Sequence, residues 1–198
     1  MSKIAVDVAL LVSGKVEDLC IDLNQKALDS FSVLNKKNSF VHITLAMGVL
    51  GENDLEKTMG IINKIIKGKL PLDLELIRLD CHDTPDGKKS ASFEVKKSST
   101  LVDLHKQILE KLIPFFSFNS EVNMFFSEGN DSINKISTYW VDKYKEKQNH
   151  PELFRPHISL KCGQVDFQNF SIKFTVNKLA LCQLGNYCSC RKIIKQFK

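Results

Sequence analysis

The chain is 198 residues long, 43% hydrophobic and 26% charged, and its 28 Lys and Arg against 23 Asp and Glu leave a formal charge of +5. This composition excludes a disordered chain, and the length suffices to bury a core without disulfides or structural metals. The mild basic excess admits an anionic ligand such as a phosphate or a short RNA, but lacks the basic clustering of a duplex-binding protein.

Residues 4–13 carry apolar side chains on the even positions and predict a first strand. Asp7 interrupts that run and no small-residue cleavage site follows, so it reads as a strand and not as a signal peptide. Residues 15–36 place Val16, Leu19, Leu23, Ala27, Phe31 and Leu34 on one stripe and predict a helix. Residues 40–47 form a second strand, and residues 52–67 a second helix with Leu55, Met59, Ile62 and Ile66 on one face. Strands over 72–81 and 90–97 follow, joined by the turn HDTPDGKK, whose Pro85, Asp86 and Gly87 supply turn chemistry.

Ser98 and Ser99 are candidate caps for a third helix over 100–113, which Pro114 ends. A Phe-rich stretch with Phe115, Phe116, Phe118, Phe125 and Phe126 leads to a fourth helix over 132–147, with Ile133, Ile136, Trp140 and Tyr144 as its apolar face. Strands over 156–162 and 171–177 precede a closing hairpin about the two-residue turn Gly185-Asn186. Helices alternating with hairpin-connected strands predict an α+β fold with two largely antiparallel sheets.

No apolar run approaches the roughly 20 residues of a membrane span. Six cysteines without an export signal predict reduced thiols and a cytoplasmic location, where the sequons at Asn130 and Asn169 carry no glycan.

Two stretches share one pattern: Phe40–Gly48 reads FVHITLAMG and Phe154–Gly163 reads FRPHISLKCG. Residues two apart in a strand point to the same face. Strict alternation therefore puts His42 and Thr44 opposite Val41, Ile43, Leu45 and Met47. It likewise puts Arg155, His157, Ser159 and Lys161 opposite Ile158, Leu160 and Cys162. Each strand has an apolar back and a front carrying imidazole and hydroxyl. His105 on its helix, His82 in a turn and His150 before Pro151 are read as packed or solvated residues. The repetition sets His42 and His157 apart.

With these motifs, His42-Ile43-Thr44-Leu45 and His157-Ile158-Ser159-Leu160, the chain resembles the 2H phosphoesterases. That family is defined by two His-x-[Thr/Ser] motifs in a two-lobed α+β fold. Pro156 before the second histidine fits the family pattern; Val41 departs from it, and the spacing between the motifs is long. The resemblance implies one bilobal domain over 1–198, with outer helices around a central cleft. It also implies phosphodiesterase chemistry without a metal or other cofactor, on a 2′,3′-cyclic phosphate or 2′–5′ bond of RNA or a nucleotide. His42 and His157 would be the acid–base pair, with His42 the acid in hydrolysis, and Thr44 and Ser159 would donate to the phosphate oxygens. Imidazole serves either role near neutral pH. Arg155 and Lys161 are either substrate-binding cations or solvated strand-end charges.

A membrane partner is not expected, and a monomer is. Phe40 and Tyr187 are candidates to stack on a base; the Phe-rich stretch is read as buried between helices. His-x-Thr is not a zinc spacing, and no HExxH or paired CxxC occurs. A four-thiolate site from Cys162, Cys182, Cys188 and Cys190 is conceivable, but buried cysteines are the ordinary reading. The alternatives to an enzyme are a non-catalytic RNA- or nucleotide-binding module, against which both motifs stand intact, and a protein-contact scaffold.

Overall fold

The computed structural model describes residues 2–129, 132–146, 150–163 and 165–198. Five strands form one sheet: β1 (Lys3–Leu11), β2 (His42–Gly51), β5 (Phe116–Ser117), β8 (Leu179–Leu184) and β9 (Cys190–Phe197), in the order β5-β2-β1-β8-β9. Four form the other: β3 (Leu72–Asp83), β4 (Lys89–Val95), β6 (His157–Ser159) and β7 (Gln168–Val176), in the order β6-β4-β3-β7. Every strand pair is antiparallel. The helices are α1 (Lys15–Lys26), α2 (Leu55–Ile66), α3 (Ser99–Leu112) and α4 (Ile136–Lys143). The α+β class with two antiparallel sheets is as expected from the sequence, and the two histidine motifs fall in different sheets.

β1 lies between β2 and β8, which explains why Ala5 to Leu11 are all buried. Such a strand reads as continuously apolar, and Asp7, fully buried, is the acid within it. α3 starts as expected: the Ser98 hydroxyl accepts from the Leu101 N–H at 3.2 Å. Leu101, Leu104, Ile108 and Leu112 bury its inner stripe against β2 and α2. Among the described residues no helix is long and apolar enough to cross a membrane.

Several boundaries differ from expectation, each for a local reason. α1 ends at Lys26, because Ala27 is extended (φ −71°, ψ 126°) and the chain leaves the helix there. Buried Asn24 on α1 organises the departing loop. Its amide donates to Ser32 O (2.9 Å) and Leu160 O (2.8 Å), and its Oδ1 accepts from the Leu34 N–H (2.9 Å). Leu34 is therefore buried by the loop and not by a helical stripe. The short strand β5 emerges from the Phe-rich stretch, Phe116 lying over Gly48, where any Cβ would sit 2.7 Å from the ring.

α4 is shorter than predicted, and the expected end at Lys147 and the sequon at Asn130 lie outside the described residues. The closing hairpin turns through Gly185–Ser189 instead of two residues. Tyr187 and Cys188 both take left-handed backbone angles (φ 53° and 52°), and Gly185 N–H donates to Ser189 O. Asn186 Oδ1 accepts from the Asn134 N–H at 2.8 Å, tying this turn to the approach to α4.

Replacing Asn24 by alanine orphans two carbonyls and one N–H. The expected loss is about 3 kcal/mol, measured as a lower denaturant midpoint at unchanged slope.

Candidate active site

β2 contains the first motif, and it is not a regular strand. The register on β1 steps from Val8↔Ala46 to Ala9↔Thr44, leaving Leu45 as the extra residue of a β-bulge. A bulge takes a carbonyl out of the ladder and reverses side-chain parity beyond it. Both effects are visible. The Leu45 carbonyl accepts instead from His105 Nδ1 (2.7 Å) and the Tyr144 hydroxyl (3.1 Å). Met47, assigned by alternation to the opposite face, joins His42 and Thr44 on the cleft wall.

The second motif breaks its ladder at the equivalent residue. Leu160 N–H donates to Ala91 O, but Ala91 N–H reaches past to Cys162 O. Lys161 between them takes a left-handed φ of 54°. The Leu160 carbonyl, released in turn, is the one that Asn24 holds. In both motifs, then, the leucine three residues after the histidine gives its carbonyl to a buried side chain from a helix or its end. β6 consequently stops at Ser159, short of the predicted strand.

The imidazoles are oriented alike. His42 Nδ1 lies 2.8 Å from Phe40 O and His157 Nδ1 lies 2.9 Å from Arg155 O, each the carbonyl two residues before. A carbonyl only accepts, so each Nδ1 carries a proton and each Nε2 presents its lone pair when the ring is neutral. The surroundings differ. His157 is exposed, whereas His42 is 9% exposed, and burial with the nearby Lys161 ammonium pushes its pKa down to about 4. His42 is therefore neutral at pH 7.

Asp7 is the residue that sequence reasoning missed. Its Oδ2 accepts from the Thr44 hydroxyl at 2.7 Å and lies 3.7 Å from His42 Nε2. An acid inside an apolar central strand was the available signal, since a buried carboxylate is retained only with partners. In this state the Thr44 proton points at Asp7 and not into the cleft.

His42, Thr44, His157, Ser159 and Lys161 all line one cleft of about 420 Å³. Arg155 does not; it is exposed, and its carbonyl serves to hold His157. Lys161 is buried, its ammonium donates to Tyr187 O, and burial lowers its pKa. The cleft is also walled by His82, Lys88, Ser90 and Trp140, and by Phe31 and Tyr187, whose rings meet at 4.6 Å. His82, read from sequence as a turn residue, thus lies near the end of β3, paired with Ser90 and facing the cleft. Phe40 packs beside Ala9, Leu11 and Cys190, and is not among the cleft residues. His105 is fully buried and stacked on Phe154 at 3.8 Å, a packed histidine as expected.

No protein-family model matches the chain, and no curated protein sequence does. Solved structures do share its fold over essentially the whole length. TT0787 of Thermus thermophilus superimposes with a TM-score of 0.63 at 13% identity, covering 98% of this chain and 97% of that one. A protein described as a phosphoesterase gives 0.56 at 10% identity, covering 99% and 98%. E. coli LigT complexed with 3'-AMP gives 0.55 at 12% identity, covering 99% and 98%.

Proposed function

We propose that this protein is a 2H phosphoesterase: a phosphodiesterase that opens 2′,3′-cyclic phosphates, or cleaves 2′–5′ bonds, of RNA or a nucleotide by two-histidine acid–base catalysis. The observation that carries the reading is the matched pair of imidazoles, each fixed through Nδ1 by the carbonyl two residues before it, on strands of different sheets around one cleft. The similarity of fold to a phosphoesterase and to LigT, seen in complex with 3'-AMP, supports a phosphate-bearing substrate.

The chemistry requires a base for the attacking water and an acid for the departing alkoxide. His42 enters turnover neutral, with Nε2 free to take a proton. The imidazolium that results faces Asp7 Oδ2 at 3.7 Å, and an ionised carboxylate at that distance stabilises it. His157, in contact with solvent, supplies the proton to the leaving oxygen. The family resemblance implies the opposite roles; the charge environment of the cleft favours this assignment. Lys161 attracts the phosphate, and Ser159 and the Lys161 ammonium offer donors to its non-bridging oxygens. Thr44 joins them only if Asp7 releases its hydroxyl.

The test is turnover of 2′,3′-cyclic nucleotides, cyclic-ended RNA and 2′–5′ linked oligonucleotides in excess EDTA, with products resolved by phosphorus NMR. Product formation undiminished by the chelator is expected. Tight RNA binding with no product at any pH would instead identify a binding module.

A further inference from the structure

At the cleft wall, His42 Nε2 meets the buried Asp7 Oδ2 and Cys190 Sγ. Asp7 Oδ2 lies 3.7 Å from the imidazole nitrogen and 3.9 Å from the sulfur, and all three ligand atoms fall within 4.8 Å of one another. They come from β1, β2 and β9 of one sheet, so each is carried on hydrogen-bonded strand backbone. Among the described residues, no other group of three or more metal-ligating side chains meets this closely. Tetrahedral zinc with nitrogen, oxygen and sulfur ligands at about 2.0–2.3 Å places those atoms roughly 3.3–3.6 Å apart. The two separations from Asp7 exceed that by a few tenths of an ångström, and the third, within 4.8 Å, by about 1.2 Å at most, so the side chains close in on the ion, and a larger soft cation needs less.

We infer that Asp7, His42 and Cys190 form an inhibitory site for a soft divalent cation such as Zn²⁺ or Cd²⁺, entered from the cleft. The metal takes the lone pair on His42 Nε2, the same electron pair that the proposed reaction uses. Its inhibitory consequence rests on that reaction, but its binding does not. Thiol coordination forms the metal–sulfur bond and releases the Cys190 proton to solvent, while His42 and Asp7 need lose none. Thiolate and imidazole together select Zn²⁺ or Cd²⁺ over Mg²⁺ and Ca²⁺. The Thr44 hydroxyl on Asp7 Oδ2 orients the carboxylate, as hydrogen bonds from outside a metal's own ligands do. Lys161 opposes the cation, and a fourth position stays open to water or phosphate.

Cd²⁺ titration of the full chain, read by the ultraviolet cadmium–thiolate band, is expected to saturate at one equivalent. The band is lost in Cys190→Ser, kept in Cys188→Ser, whose thiol lines the cleft nearby, and saturates at lower Cd²⁺ in Lys161→Met. In the wild-type chain, which needs no variant to fold, the ¹⁵N resonance of His42 Nε2 shifts while those of His82 and His150 stay. A band that survives in Cys190→Ser and vanishes in Cys188→Ser overturns the site, as does an unmoved His42 nitrogen at saturating Cd²⁺. A protein that binds Cd²⁺ this way but turns over no phosphodiester keeps the site and refutes the activity. An active protein without the band does the reverse.

Discussion

His157→Ala is expected to lower kcat/KM for a 2′,3′-cyclic phosphate by about 10²–10⁴-fold, the usual worth of a positioned acid or base. The ring is exposed and its backbone pairing to β4 does not depend on the side chain, so the variant should fold as the wild type does. His42→Ala is expected to fall by a similar factor. Because the His42 ring is buried, its variant is compared by circular dichroism before its rate is read. The two histidines act in one step, so the double variant should lose little more than the worse single one. Full activity in both single variants would refute two-histidine catalysis. Loss confined to one of them would leave a single-residue mechanism.

Lys161→Met has the second large effect, and it separates the two assignments of acid and base. In the proposed reaction Lys161 supplies a charge to the phosphate, and it holds the His42 pKa down, after burial itself. Its removal should reduce kcat/KM by about ten- to a hundredfold, corresponding to one charge-assisted hydrogen bond. The pH profile carries the sharper information. A base must be deprotonated and an acid protonated, so activity rises through the pKa of the base and falls again through that of the acid. With His42 at about 4, the wild-type acid limb lies near pH 4, and activity at pH 5 is close to its plateau. In Lys161→Met that limb moves up toward the ordinary histidine value, and activity at pH 5 falls relative to pH 7. If His42 were instead the acid, the wild-type profile would fall as pH rises above 4, and Lys161→Met would extend activity to higher pH. A variant whose profile keeps the wild-type shape would remove Lys161 from the electrostatics of the site.

Much of this architecture is legible in residue periodicity, for a physical reason. Amphipathic helices such as α2 and α3 and hairpin-linked strands such as β3 and β4 are set by local chemistry: an apolar stripe, the Ser98 cap and the Asp86-Gly87 turn. Those signals lie within a few residues of what they control. The exceptions arise where a long-range partner outweighs local preference. The apolar residues keep helical spacing from Val16 to Leu34, yet the chain leaves the helix at Lys26. Asn24 gains three hydrogen bonds by organising a loop against β6 that no continued helix offers it. The hairpin signal at Gly185-Asn186 yields to a wider turn tied to Asn134 and Ser137 near α4.

The candidate site divides in the same way. By itself the sequence determined that two imidazole–hydroxyl pairs sit on strands with apolar backs, since side-chain period in a strand is a local property. Only the tertiary structure decided what surrounds each pair. The bulge at Leu45 brings Met47 to the cleft, and the left-handed turn at Lys161 buries its ammonium beside His42. β1 places Asp7 against Thr44 and His42 from far away along the chain. Desolvation and Coulomb interaction depend on three-dimensional distance and burial, which residue order does not encode locally. That is why two histidines with equivalent local sequence differ, one neutral and enclosed above a carboxylate and a thiol, the other open to solvent.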